Sequence, residues 1–359
     1  MVYDKAGISD SIKGQGHWPE TDQTPTLTLF LEDFSDRSLR RVKQLGVKGV
    51  STGGLDTGGL ETWTDENLKR HIDRVAEADL ELRNVMFNPS DRVRFGEDGR
   101  DEDIETIINA IQVAGRQGLP VMEYNFYAHR IVEGYKVVPG RGGSGLIDFN
   151  NDRIKYLPPL QGETAHSLEE MWANVTYFLK AVIPAAKEAN VRLALHPNDP
   201  PAPISRGNGQ IMSTVEGWKR LADIVPSPYN GITFDCGVTR ELGHDPVEVC
   251  RYFGERDQIN HVHFRNVVTR TPQLDYTEVW IDEGQVDMFA VMSELIRQNY
   301  PRLIYPEHPP ENDSDTEFPF DGISAKTYTG FAYTVGYARA MMQAALATQA
   351  AANSTSQEN

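Results

Sequence analysis

Short apolar or β-branched runs alternate along the chain with longer stretches of helical period. The runs predict strands at residues 27–31 (LTLFL), 47–52 (VKGVST), 80–86 (LELRNVM) and 120–126 (PVMEYNF). Four more fall at 191–197 (VRLALHP), 231–237 (GITFDCG), 259–267 (INHVHFRNV) and 302–308 (RLIYPEH). Apolar residues recur every three or four positions between them, at 65–78, 103–117, 167–189 and 286–298, and an Ala-rich stretch at 334–347 closes the series. Eight strands, each followed by a helix, predict an α/β protein whose parallel sheet closes into a (β/α)8 TIM barrel. An open doubly wound sheet usually carries a glycine-rich phosphate turn after its first strand; here that place reads EDFSDRS.

Three stretches fall outside the alternation. The long loop 131–166 after the fourth strand, with VVPGRGGSG and YLPPL, exceeds a simple strand-to-helix connection and predicts a lid or interface loop. An acidic loop follows the eighth strand at 309–322. The expected division is an N-terminal extension at 1–26, one catalytic barrel at 27–347 and a disordered tail at 348–359. The turn at 53–59 (GGLDTGG) lacks the Lys-Ser/Thr ending of a P-loop and is not read as a nucleotide site.

A net charge of −17 over 359 residues argues against nucleic-acid or anionic-membrane partners, which select basic surfaces. A small anionic substrate stays compatible, because it requires only a few local positive charges. Two cysteines, Cys236 and Cys250, form no disulfide framework and point to a reducing compartment. With no signal-peptide pattern and no membrane-length apolar run, the expectation is a soluble, cytoplasmic protein.

In a TIM barrel the chemistry sits at the C-terminal ends of the strands. The fifth predicted strand ends in His196, followed by Asn198; the sixth in Asp235-Cys236; the seventh carries His261 and His263, with Arg265 beyond; the eighth ends in Glu307-His308. Four consecutive strands thus bring an imidazole, a thiol, an imidazole and a carboxylate to one rim, which predicts His196, Cys236, His263 and Glu307 as ligands of one metal ion. Mixed N, S and O donors suit Mn2+, Fe2+, Co2+ or Zn2+ rather than Ca2+ or Mg2+. His308 is a candidate acid or base, since imidazole titrates near neutral pH. Arg130 and Arg265 are candidate clamps for a substrate carboxylate. Tyr124, Asn125, His129 and Asn198 are further candidate substrate contacts. Glu278, Asp282 and Glu283 are possible rim carboxylates, with helix capping the simpler account of Asp282 and Asp287.

The segments LALHPNDPP (193–201), GITFDCGVTRELG (231–243), INHVHFRNV (259–267), VDMFAVM (286–292) and YPEH (305–308) resemble the mannonate dehydratase family, as does EYNFYAHR (123–130). The resemblance runs over residues 120–347. It implies a (β/α)8 barrel that converts D-mannonate to 2-keto-3-deoxy-D-gluconate with a divalent ion, usually manganese. It implies His196, Cys236 and His263 as ligands, and Glu307-His308 stands where the family has Asp-His. Tyr328 takes the place of a family tyrosine and is implied as a second catalytic group. Gly330-Phe331-Ala332 replaces a family Gly-Arg-Ala. The expected activity is therefore a metal-dependent sugar-acid hydro-lyase, with a small sugar acid as partner and a homo-oligomer by analogy with other barrels. The rival readings are a metal-dependent sugar isomerase or epimerase on the same barrel, a dehydratase acting on a different aldonate, and a non-catalytic barrel that binds metal or a sugar acid as a sensor or interaction module.

Overall fold

The computed structural model describes residues 20–54, 59–317 and 328–357. Eight strands form the barrel: β1 (Thr26–Leu31), β2 (Gly49–Thr52), β3 (Glu81–Phe87), β4 (Val121–Tyr124), β5 (Arg192–Leu195), β6 (Asn230–Asp235), β7 (Ile259–His263) and β8 (Leu303–Tyr305). Each pairs in parallel with its neighbours in sequence, and β1 closes the ring by pairing with β8. The predicted (β/α)8 barrel is the fold.

Both faces of these strands are covered, so β6 and β7 are buried at every position. Outward residues pack on helices, as Tyr124 does on Phe178 of the helix Leu168–Ala189. Inward residues of the lower barrel are polar: Asn84, Glu123, Thr233 and His261 are all buried there and bonded to one another. Helix starts follow local chemistry. Ser167 and Glu170 form a reciprocal capping box, and Asp287 caps the helix Met288–Arg297 by accepting from the Ala290 amide. The helix beginning after Ser167 buries Met171, Trp172, Val175, Phe178, Leu179, Val182 and Ile183, the spacing of a single apolar stripe.

The run predicted as one strand at 259–267 is two. β7 stops at His263, and a separate strand, Asn266–Thr271, pairs antiparallel with Asp275–Val279. The long loop 131–166 is also not structureless. Its hairpin, Tyr135–Pro139 and Gly145–Asn150, extends that pair into a four-stranded sheet beside the barrel mouth, with Asp275–Val279 an inner strand.

The last helix runs Tyr328–Gln357, through the stretch expected to be a disordered tail. Its alanine-rich sequence has the helix propensity to continue. Asp282 is no cap; it binds Arg141 at 2.9 Å. Cys250 is buried in the core as expected. Part of the turn 53–59 (residues 55–58) and of the acidic loop 309–322 (residues 318–322) lies outside the described residues. No helix among the described residues is long and apolar enough to cross a membrane.

Candidate metal centre

At the C-terminal end of the barrel, His196, Asp235, His263 and Glu307 each offer one donor atom, and the four atoms lie within 4.8 Å of one another. They come from the ends of β5, β6, β7 and β8, where the barrel converges successive strand ends. The backbone amide of His196 extends the ladder by donating to the Tyr124 carbonyl at 2.9 Å, which fixes where the ring begins.

The tautomer of His196 follows from its partners. Nδ1 lies 2.7 Å from the Pro197 carbonyl, which can only accept, so Nδ1 carries the proton. The lone pair of Nε2 then faces the group, 3.1 Å from Nδ1 of His263. A metal-binding imidazole is normally held in this way, through its second nitrogen. Burial, with His263 beside it, pushes the His196 pKa down to about 4, so the ring is neutral and a competent ligand.

Glu307 Oε1 is 3.0 Å from His263 Nδ1, and Nε2 of His263 is 3.2 Å from Glu123. Even so, Glu307 Oε1 is buried without a well-directed hydrogen bond. Buried polar atoms of this kind are the expected signature of an unfilled ligand role. Burial alone would raise the Glu307 pKa, but His263 and His308 outweigh it and hold the carboxylate ionised. The donors therefore fit a divalent cation.

Cys236, expected as the fourth ligand, lies outside this group. It is the first residue of the helix Cys236–Glu241, fully buried, and its thiol donates to the Arg265 carbonyl at 3.3 Å. Its neighbour Asp235 stands in the group instead, but both of its oxygens are occupied. One caps the helix by accepting from the Val238 amide at 2.8 Å, and the other accepts from Arg265 at 3.0 Å. Burial pushes the Asp235 pKa up to about 6, against the pull of Arg265.

A cavity of about 220 Å3 opens over the centre. Of the expected residues, Asn125, Arg130, His196, His263, Glu307 and His308 line it. Arg130 is held by Asp199, its Nη2 donating to the carboxylate and its Nε to the backbone carbonyl, both at 3.0 Å. His308 has its Nδ1 2.9 Å from Glu278 and its Nε2 3.5 Å from Glu307. Burial by itself would lower the His308 pKa, but the two carboxylates raise it to about 9.

Five other expected residues are placed elsewhere. Tyr124 alternates with Glu123, so its ring points out of the barrel, stacked on Phe87. Asn198 pins its own loop, bonding Gln210 and the Met212 amide. His129 sits 3.8 Å from Glu163, away from the cavity lining. Arg265 is no rim clamp: it is 1% exposed, bonded to Asp235 and Glu241 and within 3.3 Å of Glu307. Tyr328 reaches the Arg41 carbonyl at 3.4 Å and is not among the residues lining the cavity.

Three buried acids gained functions that the strand-end argument did not assign. Glu123 anchors His261 and His263 from below, Asp199 holds Arg130, and Asp235 joins the donor group. Glu123 had a visible signal: it is the one charged residue inside the strand run PVMEYNF. A carboxylate in a buried strand needs partners.

Four buried donors beneath an acid-lined cavity, at the catalytic face of a closed barrel, define an enzyme of the (β/α)8 class. The family model described as D-mannonate dehydratase (UxuA) matches residues 29–161 and 160–350. The mannonate dehydratase of Thermotoga maritima is 30% identical over 309 residues, covering 76% of this chain and 85% of its own. That of Streptococcus pneumoniae is 28% identical over 300 residues, covering 76% and 81%. The crystal structure of mannonate dehydratase from Streptococcus suis superposes with a TM-score of 0.79 at 25% identity, over 90% of this chain and 96% of that one. The chain belongs to the mannonate dehydratase family and is a hydro-lyase. The family match begins at residue 29, well before the segments at 120–347 that carried the resemblance in the sequence.

Proposed function

We propose that the protein dehydrates D-mannonate to 2-keto-3-deoxy-D-gluconate, using one divalent ion of the Mn2+, Fe2+, Co2+ or Zn2+ type. The observation that carries this reading is the buried His196, His263 and Glu307 donor set with His308 beside it in one small cavity. These three residues would hold the ion, and a fourth donor from the Asp235–Cys236 corner would have to give up a hydrogen bond it makes here. When bound, the ion supplies positive charge where negative charge develops on the substrate's carboxylate end.

The chain's own residues then do the positioning and proton transfer. Arg130, fixed by Asp199, faces the cavity with a side chain 42% exposed and pairs with the substrate carboxylate. A base removes the proton from C2, electrons shift to form the C2–C3 double bond, and the C3–O bond breaks. The departing hydroxide takes a proton and leaves as water; the enol tautomerises to the keto acid. His308 serves one of these two proton transfers, since it is the cavity imidazole within reach of both the donor group and open space.

The test is a panel of hexonates incubated with metal-loaded protein, with 2-keto-3-deoxy product detected by periodate–thiobarbiturate chemistry. Product from D-mannonate in preference to other hexonates is the expected result. Absence of product from every aldonate overturns the reading.

A further inference from the structure

His308 is a non-glycine residue with φ of +47°, in the left-handed region that ordinary side chains rarely adopt. Such backbone persists only where its surroundings hold it. What faces the ring on the side away from Glu307 is Glu278, 4% exposed, with Oε2 2.9 Å from His308 Nδ1, a close ion pair that is not a well-directed hydrogen bond. The other oxygen of Glu278 is buried without a hydrogen bond, 3.9 Å from Arg265.

Glu278 does not come from the barrel. It lies on the strand Asp275–Val279, opposite Val267 on one side and Ile147 on the other, an inner position of the four-stranded sheet. Paired on both sides, this backbone cannot drift, and its side chain is delivered to the mouth at a fixed height. Asp199, Glu278 and His308 also lie within 4.8 Å of one another. Arg130 and Arg265 already face Asp199 at 3.0 and 3.5 Å, so the group is balanced by guanidinium charge and does not call for a second cation.

We propose that Glu278 is the positioning residue of His308: its carboxylate, paired by charge with the Nδ1 side of the ring, holds Nε2 toward the substrate. The logic is that of a carboxylate holding the direction of a catalytic imidazole and favouring its charged form. It makes the four-stranded sheet beside the barrel, of which the hairpin of the loop 131–166 forms half, part of the catalytic apparatus rather than a passive cover. The inference rests on the proton-transfer role given to His308 above.

The experiment compares Glu278→Gln, Glu278→Ala and His308→Gln singly, and Glu278→Gln with His308→Gln together, in metal-loaded protein. Glu278→Gln is expected to lower kcat by about 10–100-fold, the range for loss of an orienting partner, with KM and metal content nearly unchanged. The double variant should be no slower than His308→Gln alone. Full kcat in Glu278→Gln, or multiplied losses in the double variant, overturns the proposal. A crystal structure of Glu278→Ala reads the same point without turnover: the His308 ring should rotate away, and an unmoved ring overturns it. A wild-type protein inactive on every aldonate would instead sink the dehydratase reading, and the ring position would still decide the role of Glu278.

Discussion

Nε2 of His196 and Nδ1 of His263 face each other at 3.1 Å, although 67 residues separate them in the chain. Barrel closure creates this approach, since β5 and β7 flank β6 in the ring. The two rings cannot both offer a proton along that line, and His196 Nδ1 is committed to the Pro197 carbonyl. A cation held by both rings would replace a shared proton with a shared charge.

Chelation of the purified protein should therefore abolish turnover, and Mn2+ should restore it. His263→Ala should weaken metal binding by at least ~100-fold, beyond the loss seen when only an outer partner is removed. Elemental analysis after dialysis measures this directly. Asp235→Asn and Cys236→Ser, run beside it, identify the fourth donor: whichever loses metal supplies it. Normal metal content in His263→Ala would refute the centre.

Arg265 gives a second prediction, about stability. It neutralises a cluster of buried acids, with contacts to Asp235, Glu241, Glu307 and Asp199 between 2.7 and 3.5 Å. Arg265→Met leaves the buried Asp235 and Glu241 without their guanidinium partner, a defect that costs about 3–5 kcal/mol. Urea unfolding of the metal-free protein should show the loss with no substrate present. A clamp for substrate would behave differently, raising KM while leaving unfolding untouched.

The contrast between Arg265 and Arg130 shows what the sequence made legible. Strand ends could be read from apolar runs, because each barrel strand is buried on both faces. Four of the eight ends carried His196, Asp235-Cys236, His263 and Glu307, so the rim was visible before the fold. The direction of a side chain just past a strand end was not. Beyond His263 the chain leaves the barrel, and Arg265 turns inward to meet acids from three other segments, those of Asp199, of Asp235 with Glu241, and of Glu307. Those partners are tens of residues away, and no local pattern announces them. The alternation rule does hold within β4, where it sends Glu123 inward and Tyr124 outward; the sequence reading passed over Glu123. The antiparallel sheet was hidden because its strands are short, polar and split between residues 135–150 and 266–279.

That sheet supplies a pH-dependent prediction. Asp148 accepts from Arg153 and Arg270 at 2.6 Å and from Thr277 at 2.8 Å, tying three segments together. Burial alone would raise its pKa, but these donors outweigh it and hold it below the usual carboxylate value. A carboxyl with a depressed folded-state pKa stabilises the protein above its unfolded value, near 3.9, and loses that contribution as pH falls through the folded value. Asp148→Asn should therefore be less stable than wild type at pH 7, by about 1.5–3 kcal/mol for a charged hydrogen bond. The two unfolding curves should converge as pH drops below about 4. A gap that stays constant down to pH 3 would place the effect in packing instead.

Tyr124 offers the last prediction, and its sign is opposite. Its ring is fully buried, stacked on Phe87 and tilted against Phe178. Its hydroxyl is buried with no hydrogen-bond partner, and burial raises its pKa far enough to keep it protonated. An unsatisfied buried hydroxyl costs on the order of 1–3 kcal/mol in desolvation. Tyr124→Phe removes the hydroxyl and keeps the ring, so the packing survives while the penalty goes. The variant should be as stable as wild type or more so, by up to about 1 kcal/mol once a small void is counted. Because the ring points away from the cavity, kcat and KM should not change. A loss of stability would mean that the hydroxyl has a partner such as a buried water, and a raised KM would return Tyr124 to the substrate site. Thermal melts and steady-state kinetics on the one variant separate the two outcomes.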